Sequence, residues 1–282
     1  MSHYSLAVIT DEPDNIEKML APYDESIEVE PYIDITKEEI IKHAKERKEG
    51  YIKAVENGEE LRDWQQEYLN ANTDEELYKL ERYEDEEYDE NGNMLSKYNP
   101  NSKWDWYEIG GRWHNEILVK ENVEDAISGS PSFMDLSSHF KDSDNGFMWV
   151  DGARIKDIQF GKMEELKNQN NYYGMYWDLF VDSKEPETDE EKKFIEENIN
   201  FYKREYYLER YGTKEYFIKQ KSMFICHALL DESGWHEVGA MGWFGIDDST
   251  KDSETVFTEK FNEVLKNPDN QNKYLVIVDC HI

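Results

Sequence analysis

The segment His3-Tyr-Ser-Leu-Ala-Val-Ile-Thr10 is a short apolar run, rich in β-branched residues and bounded by residues that form turns. This pattern is typical of a buried β-strand. A second run of the same kind, Tyr274-Leu-Val-Ile-Val278, lies near the other end of the sequence. Both runs are too apolar to lie at a solvated sheet edge, so we predict that they belong to one sheet.

Helical patterns lie next to these strands. Residues 14–23 and residues 256–265 each carry an apolar face at helical spacing. A further strand is predicted over 223–230. The order strand–helix at the start and strand–helix–strand at the end predicts an α+β fold, with a ferredoxin-like antiparallel sheet built from both termini and acidic helical insertions.

Two charged segments interrupt this pattern and are predicted to be the insertions. Thr36 with Glu39, and Thr73 with Glu76, have the spacing of a capping box, which marks the start of a helix. Residues 37–95 contain 19 acids against 9 bases. The predicted organisation is an α+β core formed by residues 1–36, 96–184 and 221–282, an acidic helical insertion at 37–95 and a second charged helical insertion at 185–220.

The whole chain is strongly acidic, with 64 Asp and Glu against 32 Lys and Arg and a net charge of −32. Nucleic acids bind basic surfaces, so direct nucleic-acid binding is not expected. Anionic membranes should also repel the chain, and no apolar run approaches the roughly 20 residues that span a bilayer. The charge favours a basic protein surface as the partner, with a purely solubilising surface as the alternative.

Motifs that would define a reaction are missing from the sequence. The two cysteines, Cys226 and Cys280, exclude a disulfide scaffold and predict a cytoplasmic protein. The run Asp279-Cys-His281 lacks the spaced ligands of a zinc site, and strand alternation would place Cys280 on the opposite face from its two neighbours. Phosphate-binding loops and nucleophile elbows are absent. We predict no catalytic residue, metal or cofactor, while the role of Cys280 and His281 stays open.

The end of the first insertion has the densest charge. Residues 81–90 contain seven acids and one Arg. Carboxylates at this density can imitate the phosphates of DNA, so the segment is a candidate partner-binding surface. Its candidate residues are Glu81, Glu84, Asp85, Glu86, Glu87 and Asp89.

A second candidate site lies in two stretches rich in Trp and Gly, residues 99–113 and 234–245. One interpretation is a ligand pocket floored by indoles. The other is an aromatic corner that supports the sheet, with one indole of the first stretch packed near the second stretch. The candidate pocket residues are Trp104, Asp105, Trp106, Arg112, Trp113, His236 and Trp243.

Individual residues of these stretches carry more specific expectations. Gly110 and Gly111 indicate positive φ angles or a close backbone approach. Arg112 is expected to pair with Asp105 or to stack on an indole. His236 could act as a base or ligand, but a hydrogen bond to a nearby carbonyl is the simpler interpretation.

The segment Asn99-Pro-Asn-Ser-Lys-Trp-Asp-Trp-Tyr-Glu-Ile-Gly-Gly-Arg-Trp113 resembles a signature of uncharacterised proteins encoded by bacteriophages and prophages. The resemblance extends to the first strand, to Gly152-Ala-Arg-Ile-Lys-Asp-Ile158 and to the final Val278-Asp-Cys-His-Ile282. These blocks bracket nearly the whole chain. The resemblance implies a phage origin and carries no assigned enzymatic activity.

A phage origin, together with the charge, leads to two hypotheses. Small acidic phage proteins often block host defence nucleases, so the first is an interaction protein in the cytoplasm of an infected bacterium. It would inhibit a host DNA-binding or nuclease complex of the Gabija, CRISPR or restriction type by acidic mimicry of DNA. The alternative is an enzyme or small-ligand-binding protein with its site between 104–113 and 235–245. A homo-oligomer is left open.

Overall fold

The computed structural model describes residues 2–133, 146–242 and 245–282. The chain forms two compact units, one from Met1–Asp24 and Lys103–Ile282 and the other from Glu25–Ser102. Trp243, one of the candidate pocket residues, lies outside the described residues. The limits assigned to the insertions at 37–95 and 185–220 stay predictions.

Both units combine strands with helices. The described strands are β1 (His3–Thr10), β2 (Tyr32–Ile35), β3 (Met94–Ser96), β4 (Trp106–Gly111), β5 (Ile117–Lys120), β6 (Ser130–Pro131), β7 (Phe147–Val150), β8 (Gly152–Arg154), β9 (Ala228–Asp231), β10 (Gly234–Glu237) and β11 (Tyr274–His281). The described α-helices are α1 (Ile16–Leu20), α2 (Lys37–Glu56), α3 (Asp63–Asn70), α4 (Asp74–Glu81), α5 (Phe160–Lys167), α6 (Tyr172–Tyr176), α7 (Asp189–Glu197), α8 (Arg204–Tyr211), α9 (Lys214–Ser222) and α10 (Lys251–Lys266).

The main sheet of the first unit has the strand order β10-β9-β1-β11-β4-β6, and β8 also pairs with β11. Strands β1 and β11 are antiparallel partners over their full length, from His3 opposite His281 to Thr10 opposite Tyr274. The prediction that the first and last strands share one sheet is therefore confirmed. Both strands are buried almost throughout, as their apolar sequences require.

The α+β class is confirmed, but the sheet is mixed. Strand β9 is parallel to β1, and β6 is parallel to β4, so the expected antiparallel sheet is only partly correct. A parallel pair needs a long crossover connection, and the chain between β1 and β9 supplies it. Because β9 lies directly beside β1, with no strand inserted between them, the ferredoxin-like arrangement is not confirmed.

Side-chain alternation gives the sheet two buried faces. Ala7, Ile9 and Ile277 lie on one face with residues of α5 and α10, including Met163 and Phe261. The other face carries Leu6, Val8 and Val278, against Ile16 and Leu20 of α1 and the ring of Trp104. The central strands are thus covered on both sides.

A separate aromatic cluster joins helices α6, α8 and α9 with a π-helical turn at Trp177–Val181. Its buried members are Trp177, Val181, Tyr207 and Phe217, and several half-buried tyrosines pack around them. The charged sequence between 185 and 220 therefore contributes aromatic residues to a core that it shares with residues 173–181.

The second unit contains α2, α3, α4 and the antiparallel pair β2–β3. Thr36 and Thr73 both form complete capping boxes, with Glu39 and Glu76, so the predicted helix starts are confirmed. Ala44, Tyr68, Ala71 and Leu77 form the small core of this unit.

Candidate functional site

Two histidines meet at one end of the central strands. The register of β1 and β11 places His3 opposite His281. Their ring centroids are 4.7 Å apart, and the ring planes are inclined by 70°. His3 Nδ1 lies 2.8 Å from Oδ1 of Asp279, while His281 Nδ1 lies 2.6 Å from Oδ1 of Asp105. Each imidazole is therefore oriented by its own carboxylate, and we call this group the paired-histidine site.

The carboxylate that orients His3 is fully buried. Asp279 is 0% exposed, and its Oδ2 accepts a hydrogen bond of 2.9 Å from the backbone N–H of Arg112. Both oxygens of the buried side chain therefore have a partner, as the cost of burying a charge requires. Asp279 thus links β11 to the loop that follows β4.

The glycine pair before Arg112 makes this contact possible. Gly110 and Gly111 both have positive φ angles, of 82° and 56°, one of the two alternatives that the sequence left open. A Cβ at Gly111 would lie 2.4 Å from Oδ2 of Asp279, well inside any real contact distance. A side chain at this position would push the carboxylate away from both of its partners.

No hydrogen bond or ion pair among the described residues joins Arg112 to Asp105, whose Oδ1 lies 2.6 Å from Nδ1 of His281. The buried Nε of Arg112 has no hydrogen-bond partner among the described residues. His3 and His281 make no hydrogen bond through Nε2 with any described residue. Each imidazole of the paired-histidine site therefore retains one ring nitrogen, Nε2, that makes no hydrogen bond with the described residues.

The three indoles of the first Trp-rich stretch do not converge on one pocket. Trp104 is buried, donates from Nε1 to the carbonyl of Leu20 at 3.1 Å, and belongs to the same cluster as Trp235. Trp113 packs against the opposite face of the sheet. Trp106 is 47% exposed and meets His3 edge to face, with centroids 6.3 Å apart.

His236 lies apart from the paired histidines, on strand β10. Its Nε2 is 2.8 Å from the hydroxyl of Ser233 and 3.6 Å from Oδ1 of Asp231. The partner is thus a hydroxyl rather than the expected carbonyl. No contact of the described residues joins His236 to Asp105 or Arg112, so a site built from these three side chains is not formed there.

Neither thiol has the environment of a nucleophile. Cys280 lies on the face opposite His281, as strand alternation predicted, and burial strongly raises the pKa of its thiol. Burial likewise raises the pKa of Cys226 to about 12. Both thiols therefore stay protonated and inert at neutral pH.

The candidate acidic residues occupy three different environments. Glu81 ends α4 and is largely buried, 3.0 Å from the guanidinium of Arg47, and it accepts a hydrogen bond of 2.9 Å from the hydroxyl of Tyr68. Burial, and after it the hydrogen bond to Glu81, raises the pKa of Tyr68 to about 12. Glu81 is thus a structural residue of the second unit.

Asp89 also has a structural role, in the turn that precedes β3. Its Oδ1 accepts hydrogen bonds from the backbone N–H groups of Asn91, at 2.9 Å, and Asn93, at 2.8 Å. These bonds, those from Asn93 first, hold the pKa of Asp89 below its usual range. Glu87 forms an exposed ion pair of 3.0 Å with Lys97.

Glu84, Asp85 and Glu86 remain, and we call them the acidic turn. All three are exposed, and none has a side-chain hydrogen bond or ion pair with another described residue. They follow the end of α4 in a turn rather than in a helix. They are the members of the predicted set that are free to meet a partner.

Three residues of the paired-histidine site, His3, Asp279 and His281, were not among the sequence candidates. The prediction that the terminal strands share a sheet could have identified them, because an antiparallel pairing brings the start of one strand to the end of the other. Among the described residues, no cluster of His, Cys, Asp or Glu is suited to hold a metal ion. No helix of the described chain is long and apolar enough to cross a membrane.

No protein family, curated protein or solved structure matches the chain. The resemblance to phage proteins stays a prediction.

Proposed function

We propose that the chain is an interaction protein that binds the basic surface of a host DNA-binding or nuclease defence complex and inhibits it. The observation that carries this proposal is the acidic turn, Glu84, Asp85 and Glu86, whose carboxylates are exposed and have no cation beside them among the described residues. Consecutive unpaired carboxylates attract a surface that is built to hold phosphates.

The segment around the acidic turn is anchored on both sides. Glu81 is held by Arg47 and Tyr68, and Asp89 is held by the backbone of Asn91 and Asn93. Between them, the guanidinium of Arg82 lies 4.1 Å from the ring centroid of Tyr88. An anchored turn loses less conformational entropy on binding than a free one, so the exposed charges are pre-organised for contact.

The opposing interpretation is that these acids only keep the protein soluble. Net charge by itself favours solubility and requires no partner. The two interpretations differ in one respect, because solubility depends on the total charge and docking depends on its position. A control with the same charge change at another place therefore separates them.

The test compares two triple variants of equal net charge. The first neutralises the acidic turn with Glu84→Gln, Asp85→Asn and Glu86→Gln. The control carries Glu56→Gln, Glu59→Gln and Glu60→Gln, three exposed acids of the same unit. DNA cleavage by purified Gabija, CRISPR and restriction nucleases is measured with each protein at two salt concentrations.

The proposal expects the wild type and the control to inhibit one of these nucleases, and the acidic-turn variant to lose about tenfold in affinity. Inhibition should weaken at higher salt, because exposed charges are screened over about 8 Å at physiological ionic strength. Equal inhibition by both variants would remove the acidic turn from the interface. Full cleavage in the presence of wild-type protein would refute inhibition of these nucleases.

The paired-histidine site supports a second candidate, an enzyme or small-ligand-binding protein. Its specific observation is that both imidazoles are oriented through Nδ1 and leave Nε2 without a hydrogen bond from the described residues. Two adjacent imidazoles could supply an acid and a base, or together hold an anion. In this second candidate, His3 and His281 take the place that the sequence analysis gave to His236.

A titration with inorganic phosphate tests this second candidate. The imidazole NMR signals of His3, His281 and His236 are followed as phosphate is added. Saturable shifts at His3 and His281, with none at His236, are expected. Equal small shifts at all three histidines would indicate only non-specific screening and would refute an anion site.

A further inference from the structure

A cavity of about 330 Å³ opens among the helices α6, α8 and α9. Seven tyrosines and two phenylalanines line it, together with a single lysine, Lys221. Its floor includes Tyr207 and Phe217, which are 5% and 2% exposed. We call it the tyrosine pocket. Its volume is in the range of sites that hold small organic ligands.

The floor of the tyrosine pocket is rigid. The hydroxyl of Tyr207 donates to Oδ1 of Asn200 at 2.8 Å, so the hydroxyl of Tyr176, 3.0 Å away, donates to Tyr207. Phe217 stands edge-on to Tyr207, with ring centroids 6.0 Å apart and planes inclined by 78°. These contacts fix the rings before any ligand arrives, which lowers the cost of binding.

The mouth of the tyrosine pocket, unlike its buried floor, includes an exposed ring. Tyr202 and Tyr206 are stacked, with ring centroids 4.1 Å apart and planes inclined by only 15°. Tyr202 is nevertheless 54% exposed. A large ring that is held parallel to its neighbour and still faces solvent is a ready platform for another flat ring.

The lining of the tyrosine pocket differs in charge from the acidic chain as a whole. Acids outnumber bases two to one in the sequence, yet among the described residues no carboxylate lines this cavity and one ammonium group does. The Nζ of Lys221 lies 5.8 Å from the ring centroid of Tyr211. A cationic ligand would meet Lys221 without a carboxylate to balance it. A negatively charged group would pair there with the ammonium group of Lys221, whereas most of this acidic surface would repel it.

We propose that the tyrosine pocket binds a small planar aromatic ring that carries an anionic group. The ring stacks among the tyrosines, and Lys221 pairs with the anion. Two sources share this chemistry, a nucleotide with its phosphate and an aromatic carboxylate. The tyrosine pocket shares no residue with the acidic turn or with the paired-histidine site, so this proposal is independent of both.

Binding of four probes to the whole chain tests the proposal by calorimetry. AMP and benzoate carry both a ring and an anion, adenosine has the ring alone, and inorganic phosphate has the anion alone. Saturable binding of AMP or benzoate is expected, and whichever of the two binds identifies the source. Adenosine and phosphate should bind at least tenfold more weakly than the better anionic ring.

Two variants with matched controls locate the ligand. Tyr202→Ala removes an exposed ring, and Tyr216→Ala removes a comparably exposed ring on α9 that does not line this cavity. Lys221→Gln is matched by Lys219→Gln, which lines a different cavity. We expect Tyr202→Ala to raise the Kd by roughly five- to hundredfold, the range measured for loss of one stacked ring. Lys221→Gln should raise it about fivefold, and less at high salt.

Three results would overturn the proposal. The first is the absence of saturable binding by both anionic rings at millimolar concentration. The second is adenosine binding as tightly as AMP with no effect of Lys221→Gln, since the anion would then contribute nothing. The third is an equal loss of affinity in Tyr216→Ala and Tyr202→Ala, which would place the ligand elsewhere. Circular dichroism of each variant checks that the helices are retained.

Discussion

The carboxylates of the acidic turn and those of the sheet core serve opposite purposes. Asp85 and its neighbours are exposed and unpaired among the described residues, whereas Asp279 is fully buried with a partner for each oxygen. Asp151 repeats the second pattern, since it is also fully buried and accepts backbone N–H bonds of 2.6 Å from Asn115 and Gly129. The local partners of an acid, rather than the acidity of the chain, decide whether it stabilises the fold or is free for another molecule.

The largest expected effect on stability comes from a substitution that disrupts the packing and hydrogen bonds of the Asp279 carboxylate. Gly111→Ala places a Cβ 2.4 Å from the Asp279 side chain at a positive φ angle. Steric overlap and loss of the buried hydrogen bonds should together destabilise the protein by about 5 kcal/mol. Chemical denaturation measures this loss.

Gly161→Ala is the matched control, because a Cβ built there has no atom of the described residues within 4 Å apart from its own helical backbone and chain neighbours. Its position in α5 should make the control neutral or slightly stabilising. A Gly111→Ala protein as stable as this control would show that the Asp279 side chain is not closely packed against Gly111.

The same comparison extends to the indoles. Trp104→Ala should cost about 3–5 kcal/mol, because the ring is buried and its Nε1 has a hydrogen bond. Trp106→Ala should cost less than about 1 kcal/mol, because the ring is 47% exposed. Thermal unfolding of both variants checks the contrast, and equal losses would contradict it.

A direct exchange of acid for amide sharpens the contrast between the two kinds of carboxylate. Asp279→Asn should destabilise the protein by about 2–3 kcal/mol, since the amide cannot accept from both partners. Asp85→Asn should change stability by no more than about 0.5 kcal/mol. Urea unfolding at neutral pH measures both, and a large loss in Asp85→Asn would mean that the acidic turn has a structural partner.

Asp89 lies between these two kinds of carboxylate, because it is bonded within a turn at the surface, and a small pH-dependent effect is expected from it. Hydrogen bonds from Asn93 and Asn91 lower its pKa below the usual 3.8, so the carboxylate form stabilises the folded turn. That stability is present above the usual pKa and is lost as pH falls through the lowered value.

Melting temperatures measured from pH 7 down to about pH 2 test this. Asp89→Asn should flatten the acid end of the curve, since the amide does not titrate. An unaltered curve in Asp89→Asn would mean that the hydrogen bonds to Asn91 and Asn93 are not maintained in solution.

Much of the local structure could be predicted because its causes are local. The capping boxes at Thr36 and Thr73 join residues three positions apart, and both formed as expected. Gly110 and Gly111 were expected to allow positive φ angles or a close backbone approach, and both have positive φ angles. The acidic set was less predictable, because only the fold shows that Arg47 and Tyr68 surround Glu81.

The sequence by itself determined the two apolar terminal strands, the helix starts, the excess of acids and the opposite faces of Cys280 and His281. The tertiary structure alone decided that His3 meets Asp279, 276 positions away, and that β9 lies parallel to β1. It also decided that aromatic residues from three helices and from the segment before α8 enclose the tyrosine pocket. The physical reason is that alternation and helical spacing assign each side chain to a face of its own element. Which partner that face meets depends on long-range register and packing, and these are settled only when the whole chain folds.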